Sequence, residues 1–199
     1  MKKAVIYIHG KGGSHAEAEH YKPLFEGCDV IGLDYESETP WDARDEFPRL
    51  IGRIAEKYDS LTLIANSIGA FFAMHSLAGQ PFEKAFFISP IVDMEKLITD
   101  MMTFSNVTED ELKARGEIPT SFGETLSWDY LTYVRCHPIG WRTPTAILYG
   151  EHDNLTSPDT MSSFAERIGA SLTVMSSGEH WFHTVEEMAF LDEWVKKNV

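Results

Sequence analysis

Positive charge is scarce in this 199-residue sequence: 17 Lys and Arg stand against 31 Asp and Glu, a net charge of −14. Nucleic-acid affinity comes from cationic side chains that displace phosphate counterions, so no nucleic-acid partner is expected. Docking on an anionic membrane is disfavoured for the same reason, and solubility alone accounts for the acidity. Cysteine is scarce too. Cys28 and Cys136 are the only two, and neither lies in a CxxC pair. That excludes a disulfide framework and predicts free thiols in a reducing cytoplasm. Long hydrophobic runs are missing: after Met1-Lys2-Lys3 only residues 4–8 form an apolar run. A signal-peptide core needs roughly 7–15 apolar residues and a spanning helix about 20. A soluble, cytoplasmic protein is therefore expected.

What is present is ordinary globular composition, 43% apolar and 24% charged. A chain of this length buries roughly 70% of its unfolded surface and needs neither disulfides nor metal to fold. No repeat, low-complexity segment or Gly/Ser/Pro-rich linker divides it, so a single domain spanning 1–199 is expected. Six short runs rich in apolar and β-branched residues recur at 4–8, 30–33, 61–65, 85–88, 145–149 and 172–175. They are continuous rather than alternating, as in strands buried on both faces. Segments at 16–26, 42–58, 68–79, 159–169 and 184–197 read as helices between and after them. The last is marked by Thr184 and Glu187 at capping-box spacing. Alternating strands and helices imply right-handed crossovers and a doubly wound, mainly parallel six-stranded sheet. In such α/β sheets ligands bind beyond the carboxyl ends of the strands.

Residues 91–143 break this rhythm, being far longer than one crossover helix requires. A helix at 93–103 would carry Met94, Leu97, Ile98, Met101 and Met102 on one face. Thr108 and Glu111 have capping-box spacing, and 127–135 reads as a further helix. Phe104, Phe122, Trp128, Tyr130, Tyr133 and Trp141 add aromatic surface. These residues either fasten the insertion to the main body or form a helical cap whose inner side lines an apolar pocket. The cap reading makes Leu97 and Met101 pocket residues, together with Trp181.

Four turns carry chemistry. The third strand ends in Ala65-Asn66-Ser67-Ile68-Gly69 and runs into a helical pattern. This is the strand–turn–helix context of a G-x-S-x-G nucleophile elbow, with alanine at the first glycine. The first strand ends in His9-Gly10-Lys11-Gly12-Gly13-Ser14. Such glycines let backbone N–H groups approach a reacting oxygen, although a glycine-rich loop before a helix also suits phosphate. Neither G-x-x-x-x-G-K-[ST] nor G-x-G-x-x-G occurs here. A carboxylate, Asp153, and then a histidine, His180, follow the fifth and sixth strands.

With these motifs in this order, the sequence resembles the α/β-hydrolase superfamily over nearly its whole length outside 91–143. The matching features are the His-Gly loop, the serine elbow, the Pro144-x5-Gly150-x2-Asp153 segment and the Gly178-x-His180 loop. The resemblance implies Ser67 as nucleophile, His180 as general base and Asp153 as the residue that orients the imidazole. It implies oxyanion donation by the backbone N–H groups of Lys11 and Ile68, and no metal or organic cofactor. The family's two leading antiparallel strands are missing, so the fold would be a trimmed version with an exposed edge. The expected activity is hydrolysis of a small neutral or apolar carboxylic ester, by a monomer or homodimer. Thioester, lactone, amide or peptide cleavage on the same triad is the alternative, as is a non-catalytic binding protein that retains the fold. His15, His20 and His75 have no ligand spacing, and a metal site from Asp153, His180 and His183 would leave Ser67 without a purpose.

Overall fold

The chain begins with a strand, β1 (Lys3–Ile8), whose last five residues are buried, and which lies inside the sheet rather than at its edge. The computed structural model describes residues 1–199. Five further strands join β1: β2 (Cys28–Gly32), β3 (Ser60–Asn66), β4 (Phe82–Ile88), β7 (Thr145–Gly150) and β8 (Ser171–Met175). Their order is β2-β1-β3-β4-β7-β8, and every neighbouring pair is parallel. The sequence direction reverses between β1 and β3, which makes their carboxyl ends the switch point where α/β sheets bind ligands.

Both faces of the sheet are covered. One presents Val5, Tyr7, Ile64, Phe86, Ile88 and Leu148 to a cluster containing Tyr21, Phe25, Leu191, Trp194 and Val195. These come from the short helix α1 (Ala18–Tyr21), the turn after it, and α8 (Val185–Asn198). The other face is covered by α2 (Pro40–Ala55) and α3 (Ser67–Ser76), which meet through Phe47 and Phe72. A further helix, α7 (Pro158–Ile168), connects β7 to β8 and ends at Gly169 with φ 68° and ψ 29°. Strands buried on both sides are apolar throughout, which explains why their runs do not alternate.

Helix boundaries depart from the sequence pattern where local chemistry overrides it. The expected helix at 16–26 is a short α-helical turn flanked by 3-10 turns at His15–Glu17 and Lys22–Leu24. Pro23 has no N–H to continue an α-helical ladder, so the last turn tightens. The helix expected from 42 begins earlier, because Thr39 caps it by accepting from Asp42 N–H at 3.2 Å and Pro40 suits its first position.

Contacts divide the chain into two units: Met1–Val92 with Gly140–Val199, and Asp93–Ile139. The second unit contains α4 (Met94–Phe104), α5 (Glu109–Arg115) and α6 (Trp128–Cys136). A two-stranded antiparallel ribbon, β5 (Glu117–Pro119) and β6 (Thr125–Ser127), was not expected; strands of three residues are too short to show a period. Arg135 ties the helices together, bonding Glu95 at 2.7 Å and Glu109 through both oxygens at 2.7 and 2.9 Å. Thr108 accepts from Glu111 N–H at 3.2 Å. Glu111 instead pairs with Arg115.

The start of α8 is the most heavily bonded helix terminus. Thr184 and Glu187 form a complete capping box. Glu187 is 4% exposed. Burial alone would raise its carboxyl, but the N–H groups of Glu179, Thr184 and His183 outweigh that and hold it at about 2. An unfolded glutamate titrates near ~4.3. A folded value below the unfolded one gives stability that is complete above ~4.3 and lost as pH falls toward about 2. Glu187→Gln should therefore lower Tm by roughly 4–8 °C at pH 7, from about 2 kcal/mol of lost charge-assisted bonding. Thermal melts of both proteins should show that gap closing as pH is lowered from about 4.5 to 2.5.

Candidate active site

The turn from β3 to α3 is forced. Ser67 adopts φ 48°, which a non-glycine residue rarely does and which costs of order 1–3 kcal/mol. A Cβ on Gly69 would lie 2.2 Å from the His9 carbonyl oxygen, so only glycine lets α3 pack this close to the end of β1. A Cβ on Gly10 would lie 3.2 Å from Ser67 Cβ, which sets the glycine-rich loop directly beside the serine. From the other side, Ile91 N–H donates to the Ser67 carbonyl at 3.2 Å. Ala65, at the first glycine position of the G-x-S-x-G pattern, is fully buried in β3 opposite Ile8 and Phe87.

Asp153 and His180 are brought to Ser67 by two loops packed against each other. A Cβ on Gly150 would fall 2.4 Å from the Glu179 carbonyl oxygen and 2.5 Å from that of Gly178. His152 N–H donates to the Gly178 carbonyl at 2.8 Å, joining the loops a second time. The Asp153 side chain is 0% exposed. One of its oxygens accepts from Leu155 N–H at 2.8 Å and Thr156 N–H at 3.1 Å. The other lies 2.7 Å from His180 Nδ1, and His180 Nε2 lies 2.8 Å from Ser67 Oγ. A carboxylate only accepts, so Nδ1 carries the proton and Nε2 is left to accept from the serine hydroxyl. Burial, and then the charge of Asp153, push the Tyr149 phenol up to about 12. Its hydroxyl donates to the Thr156 carbonyl at 2.7 Å, bracing the turn that holds Asp153.

No family model and no curated protein matches this sequence. Solved structures do. Est1E from Butyrivibrio proteoclasticus, with ferulic acid bound, superposes with a TM-score of 0.77 at 17% identity, over 98% of this chain and 87% of its own. Mouse alpha/beta hydrolase domain-containing protein 10 gives 0.77 at 18% identity, over 98% and 88%. The chain has the α/β-hydrolase fold. The thioesterase domain from the curacin biosynthetic pathway is also similar, with a TM-score of 0.59 at 16% identity, covering 98% of this chain and 91% of that one.

Next to the Ser67 turn of this α/β-hydrolase fold lies a polar network that the sequence did not reveal. Tyr7 sits in an apolar run and reads as core, yet its hydroxyl donates to Glu17 and accepts from Asn66 Nδ2 at 3.0 Å. Burial first, then Tyr21 and Glu17, hold the Tyr7 phenol far above its usual value, so it stays a donor. Glu17 also accepts from Ser14 N–H at 3.1 Å. The network thus links Asn66, immediately before Ser67, to the far end of the glycine-rich loop. His9 opens that loop, stacked on Tyr35 at 4.3 Å and receiving the Tyr35 hydroxyl on its carbonyl at 2.8 Å.

The other expected site residues stand as follows. Ile68 lies in the first turn of α3, where backbone N–H groups have no acceptor within the helix. Lys11 is exposed, one residue after Gly10. Trp181 is 73% exposed and stacks on His183 at 4.5 Å. The His183 ring donates to the Trp181 carbonyl at 2.6 Å, and its backbone N–H donates to Glu187 at 3.1 Å. Leu97 and Met101 are half-buried on α4, in the second unit. His15 pairs with Asp34 at 3.2 Å and His20 with Asp192 at 2.7 Å, while the His75 ring packs on Phe71. No three His, Cys, Asp or Glu side chains converge as metal ligands would.

Two glycines should respond oppositely to one added methyl group. Gly69→Ala meets backbone at 2.2 Å and should cost about 1–3 kcal/mol or more in thermal unfolding. Gly52→Ala, inside α2 with nothing within 4 Å of the new Cβ, should stabilise by up to about 1 kcal/mol.

Proposed function

We propose that this protein is a serine hydrolase that cleaves a carboxylic ester of a small neutral or apolar acyl group through an acyl-enzyme. The observation that carries the reading is the unbroken line from Ser67 Oγ to His180 Nε2 at 2.8 Å and from His180 Nδ1 to Asp153 at 2.7 Å. Ser67 Oγ bonds to the ester carbonyl carbon while His180 takes its proton. Ionised Asp153 stabilises the imidazolium, and the Ile68 and Lys11 N–H groups receive the oxyanion. His180 returns the proton to the departing alcohol. Water, deprotonated by His180, then releases the acid and restores Ser67. The sequence as written needs no metal or organic cofactor.

Several observations support the choice of substrate class. Glu151 and Glu179, both exposed next to the loops that carry Asp153 and His180, favour a neutral substrate over a strongly anionic one. The neighbours in fold include an esterase from Pyrococcus furiosus and a thioesterase domain, and both names denote cleavage of an acyl group from oxygen or sulfur. Leu97, Met101 and Trp181 are proposed as acyl-length determinants. L97A/M101A should change relative rates across a panel of acyl lengths, and unchanged ratios with a lower Tm would leave α4 a packing element.

The reading is tested by fluorophosphonate labelling and intact mass. Wild type should gain one adduct and a folded Ser67→Ala none. Full labelling of Ser67→Ala removes Ser67 as nucleophile, and an unlabelled wild type leaves a non-catalytic protein on this fold. On one activated ester, His180→Ala should lose at least ~10³ in kcat/KM, because triad members act as a unit. His183→Ala should lose less than about tenfold. A panel of esters, thioesters and anilides then separates ester from thioester and amide cleavage.

A further inference from the structure

We propose that Glu187 is a positioning residue for His180: its carboxylate binds backbone N–H groups on both sides of the histidine and holds the imidazole between Ser67 and Asp153. The inference rests on His180 being the general base. His180 sits in the connection between β8 and α8, a stretch without helix or strand. One Glu187 oxygen accepts from Glu179 N–H at 3.0 Å, the residue before His180. The other accepts from His183 N–H at 3.1 Å and Thr184 N–H at 2.9 Å, after it. Only His180, Trp181 and Phe182 lie between the two anchored stretches, and Phe182 is buried in the core beside Leu191 and Trp194.

Helix capping accounts for one of these oxygens and not for the other. A capping box needs the carboxylate to reach the N–H of the cap residue, Thr184. The bond to Glu179 lies five residues further back and does nothing for the helix. A glutamate this buried is rare unless paired. Here no Lys or Arg meets it; the charge is held by the backbone N–H groups of the histidine loop. Charge-assisted bonds of this kind are roughly twice as strong as neutral ones. Glutamine offers one acceptor oxygen and turns its NH₂ toward the remaining donors, so it can hold one side of the loop only.

The test compares Glu187→Gln with Thr184→Ala, which weakens the helix cap but leaves every backbone donor to Glu187 in place. Well below both melting temperatures, E187Q should lose about 10–100-fold in kcat with KM changed less than about threefold, as a misplaced base does. T184A should lower Tm and keep kcat within about twofold. Equal losses of Tm with kcat intact in both variants would make Glu187 a cap and nothing more. A second readout does not depend on turnover: the His180 Nδ1–H proton in the imidazole NMR spectrum. It should be sharp in wild type and T184A and broadened in E187Q. An unperturbed proton in E187Q overturns the positioning role even where no ester is hydrolysed. A proton that is sharp in wild type and broadened in E187Q, in a protein that resists fluorophosphonate labelling, keeps the clamp and removes the hydrolase reading. Should E187Q not fold, Glu187→Asp keeps the charge with a shorter reach, and kcat equal to wild type there would overturn the proposal.

Discussion

Ser67 can present its hydroxyl above the sheet only because the chain turns there with φ 48°, against the preference of an L-residue. That strain persists because neighbours over-determine it. The His9 carbonyl closes one side through Gly69, Gly10 closes another, and Ile91 N–H holds the Ser67 carbonyl. These contacts come from the ends of three adjacent strands, β1, β3 and β4, so the parallel sheet and its register come first. The loops after β7 and β8 are then fixed relative to each other by the close approach of Gly150 to Gly178 and Glu179. The line from serine to histidine to aspartate follows from that nested packing.

A second pattern runs through the structure. In a chain with few cations, its buried carboxylates are satisfied by backbone and neutral donors rather than by Lys or Arg. Asp153 takes Leu155 and Thr156 N–H groups besides His180. Glu187 takes three loop N–H groups; the exposed Glu17 is satisfied in the same way, by Ser14 N–H and the Tyr7 hydroxyl. Backbone donors carry no long side chain to immobilise, so little rotamer entropy is lost when a loop is pinned this way. Each pins a loop that borders Ser67 or His180. Arg135 on the second unit shows the other solution, a bidentate pair at the surface, where the gain is smaller because water competes.

The parts legible in the sequence were those governed by local chemistry and by the two structural periods. Continuous apolar runs marked the six strands. The inner four, β1, β3, β4 and β7, are largely buried, and a strand buried on both faces cannot alternate, while the edge strands β2 and β8 are only partly buried. Thr184 with Glu187, and Thr108 before α5, marked helix starts, because a cap is a bond between near neighbours. Ser67, Asp153 and His180 could be picked out because each follows a strand in a parallel sheet, where carboxyl ends converge. Helix 16–26 failed where Pro23 intervened, and β5 with β6 was invisible at three residues each.

What only the tertiary structure decided is which distant groups meet. Nothing near Tyr7 in the chain says that its hydroxyl faces Glu17 and Asn66, since an inward tyrosine and an inward phenylalanine give the same pattern. Glu187 was legible as a cap because Thr184 is three residues away, but its other oxygen reaches Glu179 across a loop whose path depends on Phe182 entering the core. Likewise the choice of His180 rested on the Gly178-x-His180 pattern, whereas the contacts that place it are distances of 2.8 and 2.7 Å to residues 113 and 27 positions away. Local bonds are written in spacing. Long-range ones exist only after the sheet has packed, because burial decides which polar atoms must find each other.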